Sequence, residues 1–230
     1  MKRIIAGLLV LLAGFAASAA TGNWLATVER TPTSHIVGNP DASVTITEYV
    51  SYTCPHCRDF AMRGEEIIKL AYIQPGKLRF EYRHVAFNPV DLTATMLARC
   101  GEPEKFPGNH KALLTAQPQF NALYRLATKS QTDRWNYGDP AARRRAVASD
   151  LNLYEILERR GYSRPELDTC LADQALADRI EAAIEADNAE YGPIGTPSFL
   201  VNGQMLEGVH DWPALKKVLD GPLPAAEATE

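Results

Sequence analysis

Thr47-Glu48-Tyr49-Val50-Ser51-Tyr52-Thr53-Cys54-Pro55-His56-Cys57 is where the chain changes its period, and the fold turns on how that change is read. Up to Ser51 the side chains alternate. Val44, Ile46, Glu48 and Val50 form one row, and Thr45, Thr47, Tyr49 and Ser51 the other, a β-branched and aromatic pattern that predicts a strand. Glu48 is the anomaly, a carboxyl in a row that otherwise carries Val and Ile. Beyond Cys54 the spacing becomes helical. Phe60, Gly64, Ile67, Ile68 and Ala71 make one apolar stripe that Pro75-Gly76 stops. Leu78, Phe80 and Tyr82 then alternate with Arg79, Glu81 and Arg83 as a second strand. Upstream, His35 to Gly38 reads as a short edge strand before the turn signal Asn39-Pro40-Asp41.

Downstream, residues 88–191 carry helical periodicity. Val147, Leu151, Tyr154 and Leu157 form one stripe, and Leu176, Ile180, Ala183, Ile184 and Tyr191 another. Gly138-Asp139-Pro140 and Gly161 to Pro165 punctuate the region, with Ser163 and Pro165 suited to a helix start. Strands return at Phe199-Leu200-Val201 and Gln204-Met205-Leu206. Asn202-Gly203 between them is a hairpin turn, since both residues tolerate positive φ. Asp211 is placed to cap a last helix facing inward through Leu215, Val218 and Leu219.

The chain has 230 residues, 46% hydrophobic and 23% charged, with a formal charge of −4. That composition belongs to a globular domain and excludes a disordered or collagen-like chain. An acidic balance disfavours nucleic acid as a partner. The start has its own logic. Met1-Lys2-Arg3 is positive, Ile4 to Ala17 is apolar, and Ala17-Ser18-Ala19, with Ser18-Ala19-Ala20 as the alternative, offers the small residues of a cleavage site. An uncleaved anchor is the competing reading, but the run is only about 14 residues against the ~20 a spanning helix needs. A cleaved leader implies an exported, soluble protein in an oxidising compartment.

Cys54-Pro55-His56-Cys57 carries the chemistry. At a helix start, unsatisfied N–H groups and the helix dipole favour a negative sulfur at Cys54. Pro55 suits the first turn, and His56 adds a donor and, when protonated, a positive charge. Each feature lowers the Cys54 pKa and makes it an attacking or leaving thiolate. Two other readings compete. A zinc site would need a second pair of close ligands, and Cys100 and Cys170 have no close Cys or His partner, so no metal is expected. A static bridge would seldom need a Pro-His pair at a helix start.

Residues 48–57, taken with Gly195-Thr196-Pro197-Ser198-Phe199-Leu200-Val201-Asn202-Gly203, resemble the DsbA family of thiol–disulfide oxidoreductases. The resemblance implies an α/β thioredoxin fold interrupted by an inserted all-helical domain. It divides the chain into a signal peptide (1–19), an N-terminal extension (20–33), a thioredoxin-fold domain (34–87 and 191–222), a helical insertion (88–190) and a frayed tail (223–230). By the same resemblance Cys54 is the nucleophile, Cys57 the resolving cysteine and His56 the thiolate's stabiliser. Pro197 is the cis-proline facing the pair, and Thr196 before it offers backbone to an extended substrate. Glu48 matches the family's buried acid, which could relay a proton for Cys57. The basic group that often accompanies that acid has no evident counterpart; Tyr82 falls near the spot, flanked by Arg79 and Arg83.

The implied function is a periplasmic dithiol oxidase, a monomer outside the membrane. Its Cys54–Cys57 disulfide serves in place of a cofactor, and it acts on reduced exported polypeptides. A quinone-linked membrane protein resembling DsbB would reoxidise it. A reductase or isomerase of the same fold is the nearest rival, and a non-enzymatic peptide-binding module or holdase is the rival of another class. Cys100 and Cys170, an even pair in an oxidising compartment, are candidates for a structural disulfide; the competing reading is two buried thiols. Arg143-Arg144-Arg145 reads as a solvated face. His35, His84, His110 and His210 read as non-catalytic. Trp135 and Tyr137 suit a packing anchor better than a peptide groove.

Overall fold

The computed structural model of the chain describes residues 22–223. The expected leader, residues 1–19, and the tail beyond residue 223 lie outside them. Among the described residues one sheet runs in the order β1 (Val28–Arg30), β2 (Ser34–Gly38), β4 (Arg79–His84), β3 (Thr45–Val50), β5 (Ser198–Val201), β6 (Gln204–Met205). β3 and β4 are parallel, with Glu48 opposite Tyr82, and every other pair is antiparallel. Strand β3 is central. Ile46 and Val50 enter the main core with Phe60 and Phe199, whereas Tyr49 packs with Leu200, Ile184 and Tyr191 in a smaller cluster. The fold is a thioredoxin fold into which helices are inserted between β4 and β5.

A parallel pair needs a long crossover. Here it is α1 (Pro55–Phe60), a stretch of wide i→i+5 turns (Ala61–Glu65), α2 (Glu66–Ile68) and a second wide stretch (Lys69–Ile73). The stripe predicted over this segment is displaced. Phe60, Gly64, Ile68 and Ile73 are buried, but Ile67 is 44% exposed and Ala71 is exposed too. Each wide turn holds an extra residue and rotates the buried face away from 3.6 spacing. Gly64 serves a close approach, because a Cβ there would lie 3.0 Å from Phe60 Cε2 and 3.1 Å from Trp212 Cβ.

Two further expectations shift. The strand at His35 is not at the edge, since β1, from the N-terminal extension, pairs outside it. The stripe Val147–Leu157 belongs to two helices, α6 (Pro140–Asp150) and α7 (Leu153–Glu158). Between them Asn152 turns the chain at φ 57°, so all four apolar residues stay buried although the axis changes.

The insertion also contains α3 (Pro89–Ala98), α4 (Phe106–Arg125), α5 (Lys129–Asn136), α8 (Arg164–Ala172) and α9 (Gln174–Tyr191). Capping boxes at Thr128/Gln131 and Ser163/Glu166 start α5 and α8. A Cys100–Cys170 disulfide, Cα–Cα 5.7 Å, ties the end of α3 to α8. Of the arginine run, Arg144 is buried rather than solvated. Its Nε donates to Leu171 O at 2.6 Å and its Nη1 to Gln174 Oε1 at 3.1 Å, joining α6 to the α8–α9 junction. Trp135 is a buried anchor whose Nε1 donates to Asp150 Oδ2 at 2.7 Å, while Tyr137 is 75% exposed. In the hairpin, Asn202 and Gly203 have φ 50° and 85°, and Asp211 accepts from Ala214 N to cap α10 (Trp212–Leu219). No helix among the described residues is long and apolar enough to cross a membrane.

Candidate active site

Strand β3 ends at Val50, and Cys54 is the N-cap of α1 with Pro55 in its first turn. Cys54 is partly exposed and Cys57, one turn on, is buried; both are free thiols. A helix start supplies N–H groups without intrahelical partners, and the sulfur of Cys54 lies against them. Its pKa falls to about 5. The largest cause is a hydrogen bond from the Cys57 thiol, helped by the Thr196 side chain and the backbone N–H groups of Cys57 and His56, against an opposing desolvation. Cys57 moves the other way. Burial, donation to Cys54 and the nearby Glu48 push its thiol well above the ordinary value. Two thiols a turn apart are thus split, one an anion at neutral pH and the other a proton holder.

The second wall comes from the far end of the chain. The Thr196–Pro197 peptide bond is cis, and Thr196 O lies 3.1 Å from Cys54 Sγ, accepting from it when that sulfur carries its proton. Pro197 O accepts from His210 Nδ1 at 2.9 Å, a brace that sequence reading missed. His56 is exposed, and what it directs at Cys54 is its backbone N–H. Pairing of β3 with β5 holds both walls in one frame, with Glu48 opposite Phe199 and Tyr49 opposite Ser198.

Below the pair sits Glu48, fully buried, neither carboxyl oxygen having a hydrogen-bond partner among the described residues. Desolvation, then the charge of Glu65, raises its pKa well above the usual range, while Lys69 pulls the other way. The nearby base is therefore Lys69, from the wide turn after α2, and not a residue on β4. Lys69 Nζ lies 3.2 Å from Glu65 Oε2. Tyr82, at the β4 position where a base was sought, donates instead to Glu65 Oε2 at 3.4 Å.

The inserted helices grip the loop that carries Cys54. Gln117 Nε2 donates to Tyr52 O and Cys54 O, both at 2.8 Å, and Asn121 Nδ2 to Thr53 O at 3.0 Å. From α3 the buried Asp91 accepts from Ser51 Oγ, Thr53 N, Thr53 Oγ1, Phe87 N and Asn88 Nδ2. Ser51 Oγ in turn accepts from Cys54 N at 3.1 Å. Beneath the loop the Tyr52 hydroxyl lies 3.2 Å from His84 Nε2 and 2.9 Å from His110 Nδ1, and His110 Nε2 lies 3.1 Å from Glu65 Oε1. These histidines touch no reacting atom, but they build the floor under it. Their only sequence signal was polarity inside helical and strand patterns that should be apolar. Cys100 and Cys170, bridged, belong to the insertion and not to this site. Among the described residues no group of His, Cys, Asp and Glu is arranged to hold a metal ion.

A cysteine pair at a helix start, facing a cis-proline across a central strand, is the arrangement of a thioredoxin fold, and it brings Cys54, Cys57 and Pro197 together as one candidate site. The chain belongs to the thioredoxin family, whose model matches residues 30–221. It is 37% identical to a protein-disulfide isomerase of Novosphingobium aromaticivorans, with TM-score 0.78 over 81% of this chain and 95% of that one. The α-DsbA1 of Wolbachia pipientis shares the fold at 23% identity and TM-score 0.64, over 83% and 91% of the two chains. A curated Rickettsia bellii protein, provisionally named a protein-disulfide oxidoreductase, is 28% identical over 75% of this chain. The match spans 58% of that relative's own length.

Proposed function

We propose that the protein is an exported thiol:disulfide oxidoreductase that donates its Cys54–Cys57 disulfide to newly secreted, reduced polypeptides. The observation that carries this reading is the split of the two thiols, Cys54 lowered to about 5 and Cys57 raised. A substrate thiolate attacks Cys54 Sγ; the Cys54–Cys57 bond breaks and its electron pair goes to Cys57 Sγ. Cys57, a poor anion in its buried place, takes a proton, for which Glu48 is the near source. A second substrate thiolate then attacks the substrate sulfur of the mixed disulfide and expels Cys54 as a thiolate. The substrate loses two protons and two electrons; Cys57 keeps one proton and solvent takes the other. A low-pKa thiol leaves fast and stabilises the reduced enzyme, which makes the bridged form oxidising.

His56 supplies its N–H to the thiolate, and Pro197 with Thr196 shapes the wall against which an extended substrate lies. The apolar leader with its small-residue cleavage site supports export to the periplasm. A DsbB-like membrane partner would return the pair to the disulfide. The name of the Novosphingobium relative favours a second reading, an isomerase or reductase that keeps Cys54 reduced.

Equilibration with glutathione separates the two. A potential near the oxidising end, about −120 mV, supports the oxidase, and one near that of thioredoxin, about −270 mV, overturns it. Secreted disulfide proteins should accumulate free thiols in cells carrying Cys54→Ala. Full function of that variant would support a peptide-binding module instead.

A further inference from the structure

Away from the cysteine pair, three guanidinium groups converge on an open cleft of about 380 Å³ between the β1–β2 turn, the end of α3 and the start of α9. Arg30, Thr31, Pro32, Arg99, Asp173 and Arg179 line it. Arg99 is only 5% exposed, and its Nε has no hydrogen-bond partner among the described residues. Its Nη2 donates to Thr31 O and Pro32 O, and Arg30 Nη2 to Arg99 O and Gly101 O. All of these acceptors are neutral carbonyls. Among the described residues none of the three arginines forms an ion pair with a carboxylate.

The cluster is also short of acceptors. His35 lies between the buried guanidinium of Arg99 and the exposed one of Arg30, with Arg30 Nε 3.2 Å from Nε2 and Arg99 Nη1 3.4 Å from Nδ1. Burial and both arginines keep this histidine neutral, and a neutral imidazole accepts at one nitrogen only. One of the two contacts therefore sets a donor against a donor. Burial, Arg30 and Arg179 together lower the Arg99 guanidinium to about 10, the response of a positive group crowded by its like. Unpaired buried charge is strongly unfavourable, and natural proteins pair it. The carboxylate lining the cleft is that of Asp173, which already accepts from Leu176 N as the cap of α9. Three positive groups against one negative leave a surplus of two, the charge of a phosphate dianion.

We propose that this cleft is a binding site for a phosphate-type oxyanion, inorganic phosphate or a phosphate monoester, held by Arg99, Arg30 and Arg179. Guanidinium forks suit such oxyanions because several N–H donors can meet several oxygens at once. The bound group joins the N-terminal strands to the insertion beside Cys100, on the seam where the two parts of the chain meet. It supports the fold and leaves the chemistry at Cys54 untouched.

Arg179 decides the matter, because it is exposed and has no partner among the described residues, so its loss leaves the fold intact. Inorganic phosphate is titrated by calorimetry into the disulfide-intact protein, with sodium chloride at matched ionic strength as control. Saturable binding, a melting temperature that rises with phosphate and not with chloride, and a tenfold to hundredfold (~) weaker affinity in Arg179→Gln support the site. Phosphate behaving as chloride does, or Arg179→Glu binding as tightly as the parent, overturns it. Glycerol 3-phosphate and vesicles containing phosphatidic acid, both phosphate monoesters, tested side by side, separate a soluble ligand from a lipid headgroup.

Discussion

Cys57→Ala should raise the pKa of Cys54, because the largest single cause of its depression is the hydrogen bond from the Cys57 thiol. A hydrogen bond to a charged group is worth about 1.5–3 kcal/mol, and each pKa unit corresponds to about 1.4 kcal/mol. Loss of that donor therefore moves Cys54 up by about one to two units, to roughly 6–7, the lower end being favoured by its partial exposure. Thr196 and the backbone N–H groups of His56 and Cys57 remain in place and hold the rest of the shift. Cys57→Ser, which keeps a donor at that place, should stay closer to the parent. The assay is the pH dependence of thiolate absorbance, checked by the rate of iodoacetamide alkylation. An unchanged midpoint in Cys57→Ala would refute the reasoning and leave Thr196 and the helix end as the causes.

The same shift has a consequence for stability. Cys54 is depressed in the folded protein, so its contribution is fully present above the unfolded value, about 9, and is lost as pH falls through about 5. Four units would be about 5 kcal/mol, and solvent screening of a half-buried group reduces that to ~2–3 kcal/mol. The dithiol form should therefore gain stability over the disulfide form as pH rises between those limits, checked by urea melts of the two forms, and in the single-thiol Cys57→Ala protein the rise should begin at a higher pH.

Three further outcomes are expected. Glu48→Gln should stabilise the protein by ~1–3 kcal/mol at pH 7 and by little at pH 4, since a buried acid raised in the fold is destabilising only above its unfolded pKa; urea melts at the two pH values check this, and a loss at pH 7 would show that the carboxylate is satisfied in the fold. Replacing Cys100 and Cys170 together by Ala should cost ~3–4 kcal/mol, because the bridge closes a loop of sequence separation 70; chemical denaturation is the measurement, and an unchanged midpoint contradicts the expectation. Gln117→Leu should cost ~1–3 kcal/mol and slow thiol exchange at Cys54, since it leaves Tyr52 O without that donor and loosens the loop; unchanged exchange kinetics would deny the insertion its grip on the site.

Legibility differed from place to place for identifiable reasons. The change from alternation to helical spacing across Ser51–Cys57 was plain because each period is a local property of neighbouring side chains. The Asn202-Gly203 turn and the Asp211 cap were equally local. The crossover helix was harder. Its wide turns shift which residues face inward, and 3.6 spacing placed Ile67 and Ala71 on a face that the structure exposes. Arg144 looked like one member of a solvated run and is buried, because its acceptors, Leu171 O and Gln174 Oε1, arrive from another helix.

From its sequence alone, through its resemblance to the DsbA family, this chain implies the interrupted thioredoxin fold, and it declares directly the strand-to-helix change, the cysteine pair at a helix start and the odd carboxyl at position 48. Those features are written in short-range patterns of polarity and turn chemistry. Only the tertiary structure decides that Lys69 rather than a β4 residue is the base near Glu48, and that Gln117, Asn121 and Asp91 hold the cysteine loop. It also sets Arg30, Arg99 and Arg179 around one cleft. These groups come from segments far apart in the chain, and no local pattern carries the distance between side chains that meet only after the insertion has packed against the sheet.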